Sequence, residues 1–132
     1  MDTADIDHEA LLAQALAAAE GSYSPYSKYR VGAAILTEDG RIFTGANVEN
    51  EYIGCTICAE RTAAVKAVTA GQRRFLACAI ACPTDIGCLP CGICRQVLAE
   101  FNRDQTIIVR EGHDGYFAIS LAKLLPDPLL VD

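Results

Sequence analysis

Five of the chain's seven cysteines fall into two clusters, Cys55-x-x-Cys58 and Cys88-x-x-Cys91-x-x-Cys94, and each cluster sits where the apolar pattern begins a helix. Any fold of this chain has to say what those thiols do. The first segment, MDTADIDHEALL, is acidic and lacks the basic n-region of a secretory signal. We therefore expect a cytoplasmic protein, in whose reducing surroundings cysteines serve as thiols or metal ligands rather than disulfides. With 132 residues the chain is long enough to bury a core without covalent staples, and we expect one domain over 1–132.

The apolar periodicity predicts a helix from Ile6 to Glu20, a loop over Gly21–Tyr29, and a hairpin of Val31–Thr37 and Arg41–Val48 about Asp39-Gly40. A second helix runs from Cys58 to Ala70, with Gly71 as its stop. Phe75–Cys82 is a continuous apolar run, short enough for a buried strand. A third helix starts near Pro90; Thr106–Val109 and Tyr116–Ile119 read as strands, and Leu121–Leu125 as a short last helix. A hairpin followed by strand–helix alternation predicts an α/β sandwich around a mixed sheet. Right-handed crossover places the second and third helices on one face, where their N-termini approach each other.

Net charge is −6, from 11 basic and 17 acidic residues, which disfavours nucleic acid and anionic membrane as partners. The longest apolar stretches fall short of the roughly 20 residues that span a bilayer. His8, His113, Arg73, Arg74 and Lys123 read as solvated groups, and Asp39 as a turn residue.

Three readings of the cysteines compete. As small apolar residues they fill the core, which suits Cys78 and Cys82 inside the apolar run. As two knuckles, Cys55, Cys58, Cys91 and Cys94 form a closed four-cysteine zinc site of a non-enzymatic interaction domain. As an open site, three ligands leave a fourth position for water. The neighbours favour the last: Glu60 follows Cys58 by two residues at a helix start, where a carboxylate can address the water without ligating the metal. Cys91 and Cys94, three apart, share a helix face. Helix N-termini also favour thiolates.

Cys58-Ala59-Glu60 with Pro90-Cys91-Gly92-Ile93-Cys94 resembles the three-cysteine form of the zinc deaminase signature. The stretches YSPYSKYRVGAAI, GANVEN, CAERTA and PCGICRQVL are similar, in order, to the small cytidine deaminases of pyrimidine salvage, and the similarity runs from about Tyr23 to Pro126. That resemblance implies a three-layer α/β/α sandwich with a mixed five-stranded sheet. It implies one zinc ion per subunit on Cys58, Cys91 and Cys94, and Glu60 as proton carrier in hydrolysis of cytidine and 2′-deoxycytidine to the uridines and ammonia. It further implies that Asn47 and Glu49 bind the ribose, that Tyr29, the Ala59 backbone and the Leu89 carbonyl meet the base, and that Arg61 is directed at the zinc-bound sulfurs. The partners implied are a nucleoside and three further copies of the chain, in a homotetramer with shared active sites.

The chain departs from the family pattern at Tyr29, where Phe is usual, at Cys55 and Cys88, read as spare buried thiols, at Glu51-Tyr52-Ile53, and at Leu129, where a Phe reaches a neighbouring subunit. These departures surround the pocket and leave open a modified or antibiotic cytosine nucleoside, as taken by blasticidin-S deaminases. The Asn47-Val48-Glu49-Asn50 segment speaks for an ordinary nucleoside.

Overall fold

A computed structural model describes residues 5–84 and 87–130. Its elements are α1 (His8–Ala18), β1 (Gly32–Thr37), β2 (Ile42–Ala46), α2 (Ala59–Thr69), β3 (Phe75–Ala81), α3 (Gly92–Phe101), β4 (Thr106–Glu111), β5 (Gly115–Ser120) and α4 (Leu121–Leu124). The sheet order is β2-β1-β3-β4-β5. Only β3 and β4 are parallel; the other neighbouring pairs are antiparallel, so the sheet is mixed.

Side chains alternate across the sheet, and the two faces take different helices. Ala33 and Ile35 of β1, Cys78 and Ile80 of β3, and Ile107 and Val109 of β4 pack with Ala63, Ala64 and Ala67 of α2 and Leu98 and Ala99 of α3. Ala34 and Leu36, Ala77, Ala79 and Ala81, and Ile108 pack instead with Leu11 and Ala15 of α1. The chain is thus a three-layer α/β/α sandwich around five strands. Every residue of β3 is buried, which explains why its sequence is a continuous apolar run.

The expected elements are all present, with shifted ends. α1 stops at Ala18 and passes into a 3₁₀ turn, Ala19–Gly21. The hairpin strands are shorter than their apolar pattern because Asn47 Oδ1 takes the Val31 N–H and Val48 bridges to Tyr23 and Ile57. α3 begins at Gly92 rather than Pro90, since Cys91 has extended dihedrals and serves as its N-cap. α2 ends before Gly71, whose φ of +99° is a left-handed stop. No helix among the described residues is long and apolar enough to cross a membrane.

Candidate active site

The sandwich brings the N-termini of α2 and α3 together, and the sulfurs gather there. Cys58 is the N-cap of α2, Cys91 that of α3, and Cys94 lies in the first turn of α3. Neither N-cap side chain caps a backbone N–H of its own helix. The three Sγ atoms lie within 4.8 Å of one another, with Cys58 and Cys91 3.9 Å apart. Thiolates at zinc's bond length of about 2.3 Å, set tetrahedrally, are about 3.8 Å apart, so the donor set and its spacing fit that ion with one position left over.

Cys55 is not part of this cluster. It ends an exposed 3₁₀ turn, Ile53–Cys55, three residues before the N-cap, so it is neither a fourth ligand nor a buried thiol. The four-cysteine reading is therefore wrong: the extended backbone at Cys58 carries the preceding turn away from the two helix starts.

Electrostatics separate the roles of the clustered groups. The Cys58 thiol is lowered to about 5, first by the hydrogen bond from Cys94 and, against burial, by the Arg61 guanidinium. The same contact with Cys58, together with burial, raises Cys94. Arg61 Nη2 donates to the Thr56 carbonyl at 3.2 Å and toward Cys58 Sγ at 3.6 Å, so this side chain reaches the cluster rather than solvent. Its Nε is buried without a hydrogen-bond partner among the described residues, which leaves the guanidinium's charge directed at sulfur. Glu60, second residue of α2, is 5 % exposed. Burial pushes its carboxyl up to about 7, and the Cys58 thiolate adds to the rise.

A cavity of about 350 Å³ opens over these groups, and Cys58, Ala59, Glu60 and Cys91 line it together with Tyr29, Asn47, Cys88 and Leu89. Asn47 is buried and already engaged. Its Oδ1 accepts from the Ser22 hydroxyl at 2.5 Å and from the Val31 N–H at 2.9 Å, while Nδ2 donates to the Tyr29 carbonyl at 2.9 Å. One Nδ2 hydrogen remains for a ligand.

Glu49 lines a neighbouring cavity of about 330 Å³, which shares Thr56 with the first. Its carboxylate accepts from the Tyr26 and Ser27 amides, each at 3.1 Å, and from the Ser27 hydroxyl. The Ser27 hydroxyl is the main reason its carboxyl titrates below the usual range. The fold thus sets Asn47 and Glu49 at adjoining cavities, with the Tyr26-Ser27 segment held by Glu49 at the second.

The Tyr29 hydroxyl, which a Phe would lack, meets two sulfurs: Oη lies 2.9 Å from Cys88 Sγ and 3.2 Å from Cys82 Sγ. Cys88 is only half-buried and faces the cavity. Cys82 is buried, as its place in the apolar run implied, but it is hydrogen-bonded rather than simple filling. Nothing in sequence spacing joins residues 29, 82 and 88; only the fold does.

The model of the cytidine and deoxycytidylate deaminase zinc-binding region matches residues 5–110. A cytidine deaminase of Sporosarcina psychrophila is 46 % identical over 122 residues, 92 % of this chain and 90 % of that protein. One from Mycobacterium tuberculosis is 43 % identical over 130 residues, 97 % of this chain and 93 % of that protein. The crystal structure of a cytidine deaminase from Burkholderia pseudomallei superposes with a TM-score of 0.88 at 41 % identity, covering 94 % of this chain and all of that one.

Proposed function

Because the chain belongs to the family of zinc-binding cytidine and deoxycytidylate deaminases, we propose that it hydrolyses cytidine and 2′-deoxycytidine at C4, giving the uridines and ammonia. The observation that carries this reading is the buried Glu60 carboxyl at the floor of a nucleoside-sized cavity, beside three converging sulfurs.

Cys58, Cys91 and Cys94 would hold the zinc ion. When bound, zinc supplies Lewis acidity that brings a water's pKa from about 15.7 toward neutrality. Glu60 does the proton work: it takes a proton from the attacking water and gives it to N3 of the pyrimidine, then takes the proton of the new C4 hydroxyl and gives it to the 4-amino group, so that the C4 carbonyl forms as ammonia leaves. A carboxyl titrating near neutrality is suited to both halves of that task. Three thiolates on a divalent ion leave one negative charge in excess, which opposes the ion's acidity. Arg61 offsets it through Cys58, and the two helix N-termini add their positive ends.

The base lies against Tyr29, with its edge meeting the Ala59 amide and the Leu89 carbonyl; all three residues line the cavity. The ribose reaches the remaining Asn47 hydrogen and the Glu49 carboxylate across the shared Thr56 wall. The chain works as one domain over 1–132, in the cytoplasm, as a homotetramer whose subunits complete one another's sites. Support for assembly comes from Leu89 at the main cavity, 49 % exposed, and Ile53 at its neighbour, 84 % exposed. A neighbouring subunit that contributes to these two cavities would cover both side chains.

The test is ultraviolet absorbance and ammonia release with cytosine, cytidine, 2′-deoxycytidine, cytidine phosphates and N4-modified cytidines. The two plain nucleosides are the expected substrates. Glu60→Gln keeps its zinc and loses turnover by about 10²–10⁴-fold. Unchanged turnover in that variant overturns the mechanism, and a fully active monomer in sedimentation overturns the shared sites.

A further inference from the structure

Tyr29 and Cys88, two of the chain's departures from the family pattern, meet at one point, and Cys82 joins them. The Cys82 and Cys88 sulfurs are 2.7 Å apart, in contact and a small movement from a covalent bond. Cys88 faces the cavity, whereas Cys82 is 1 % exposed behind it, with the Thr84 hydroxyl 3.4 Å from its sulfur. One sulfur is reached through the substrate's own entrance and the other is sealed. Neither has a part in the proton transfers of Glu60 or in the three-sulfur cluster.

We propose that Cys82 and Cys88 are a reversible redox pair, closed to a disulfide by a peroxide that enters through the cavity, and that closure releases the Tyr29 hydroxyl and weakens nucleoside binding. The second half of this rests on the deaminase reading above.

The chemistry balances with hydrogen peroxide as oxidant. One cysteine sulfur attacks a peroxide oxygen, the O–O bond breaks, and a sulfenic acid and one water result. The other sulfur displaces the sulfenic oxygen, which leaves as a second water with the remaining proton, and the S–S bond forms. Two thiols thus lose two electrons to the peroxide bond, and a dithiol reductant reverses the change.

Polarity at the pair agrees with this. Burial raises the Cys82 thiol, but hydrogen bonds from Cys88, Thr84 and Tyr29 outweigh it and leave it lowered. Burial and the contact with Cys82 push Cys88 up to about 12. Cys82 is therefore the sulfur favoured as thiolate, placed to displace the oxygen of a sulfenic acid formed at Cys88, the sulfur that the cavity reaches. In the reduced state the Tyr29 hydroxyl lies within hydrogen-bond reach of both sulfurs; in the disulfide neither sulfur carries a proton or a charge, and both become poorer partners. Loss of such a bond at the cavity wall is worth on the order of threefold to tenfold in KM.

The zinc-loaded enzyme, treated with hydrogen peroxide, tests this by intact mass, zinc content and cytidine kinetics. We expect a species two hydrogens lighter, with zinc retained and the linkage mapped to Cys82 and Cys88. Its KM is raised on the order of threefold to tenfold, with a smaller change in kcat, and dithiothreitol restores it. Cys82→Ser forms no such species, and peroxide leaves its KM unmoved; Cys88→Ser must likewise fail to form it, should the first variant fold poorly. The proposal is overturned if no lighter species forms while zinc stays bound. It is also overturned if the linkage includes Cys58, Cys91 or Cys94, or if the disulfide form keeps the reduced enzyme's KM. An untreated enzyme inactive on cytidine sinks the deaminase reading, while the mass and mapping still decide whether the pair closes.

Discussion

A methyl group built onto Gly45 of β2 would fall 2.5 Å from the Ala63 amide nitrogen, and 2.7 Å from the Ala59 carbonyl oxygen, of α2. Both contacts are with backbone, which cannot swing aside. This closeness is possible because the inward face of α2 is alanine, at Ala63, Ala64 and Ala67. The helix that carries Glu60 and follows Cys58 is thereby set directly on a strand. Gly45→Ala forces the two apart, at a cost of about 1–3 kcal/mol. We expect calorimetry to show a Tm several degrees lower, and chelator competition to show weaker zinc retention, because Cys58 moves relative to Cys91 and Cys94. An unchanged Tm would mean that α2 is not seated by this contact.

Arg61 reaches back to Cys58 from the first turn of α2, and its position predicts a kinetic effect without a folding effect. Arg61→Ala removes the charge that offsets three thiolates, and turnover is expected to fall about 10–100-fold. Arg61→Lys recovers little of it, because a point charge on a flexible stem cannot serve Thr56 and Cys58 from one planar group. Circular dichroism and metal content separate this from unfolding. Wild-type kinetics in Arg61→Ala would remove the residue from the site.

The parts of this site that sequence made legible are those fixed by local geometry. Cys58 and Glu60 flank one helix start, and Cys91 and Cys94 share one turn, so spacing alone brings each pair together. That Cys55 would stand apart was not legible, because a three-residue spacing reads alike in a 3₁₀ turn and at an N-cap. Asn47 and Glu49, two apart, would share one face if the strand ran through both. The strand ends at Ala46, and the chain beyond it makes single bridges to Tyr23 and Ile57, so the two side chains line adjoining cavities. The meeting of Tyr29 with Cys82 and Cys88 depends on how the 22–31 loop is laid over the end of β3, which no period in the sequence encodes.

Asp39 shows a local network that pH can dissect. Its carboxylate accepts from the Thr37 hydroxyl at 2.7 Å, the Arg41 amide at 3.1 Å and Arg41 Nε at 2.7 Å, closing the hairpin turn. The Thr37 hydroxyl is the largest influence holding its pKa down to about 2. A carboxyl depressed in the folded state adds stability that is complete above its unfolded pKa of about 3.9 and is lost as pH falls through the folded value. Asp39→Asn is therefore less stable than the parent at pH 5 and above, and the gap closes as pH is lowered from about 4 toward 2. Urea denaturation of both proteins across that range measures it; a gap independent of pH would place the effect in packing rather than charge.

Glu49 holds the Tyr26 and Ser27 amides and the Ser27 hydroxyl, so a loss of activity in Glu49→Gln has two readings. If the carboxylate only anchors that segment, cytidine and cytosine turnover fall together. If it also accepts from the sugar, the preference for cytidine over cytosine collapses, by about 10–100-fold for the loss of a charged acceptor. Ser27→Ala supplies the control, since it removes a donor to Glu49 while leaving the carboxylate in place. We expect Ser27→Ala to lower turnover of both compounds and keep their ratio, and Glu49→Gln to change the ratio. Ratios equal in the two variants would assign Glu49 to the loop alone and leave the ribose to Asn47.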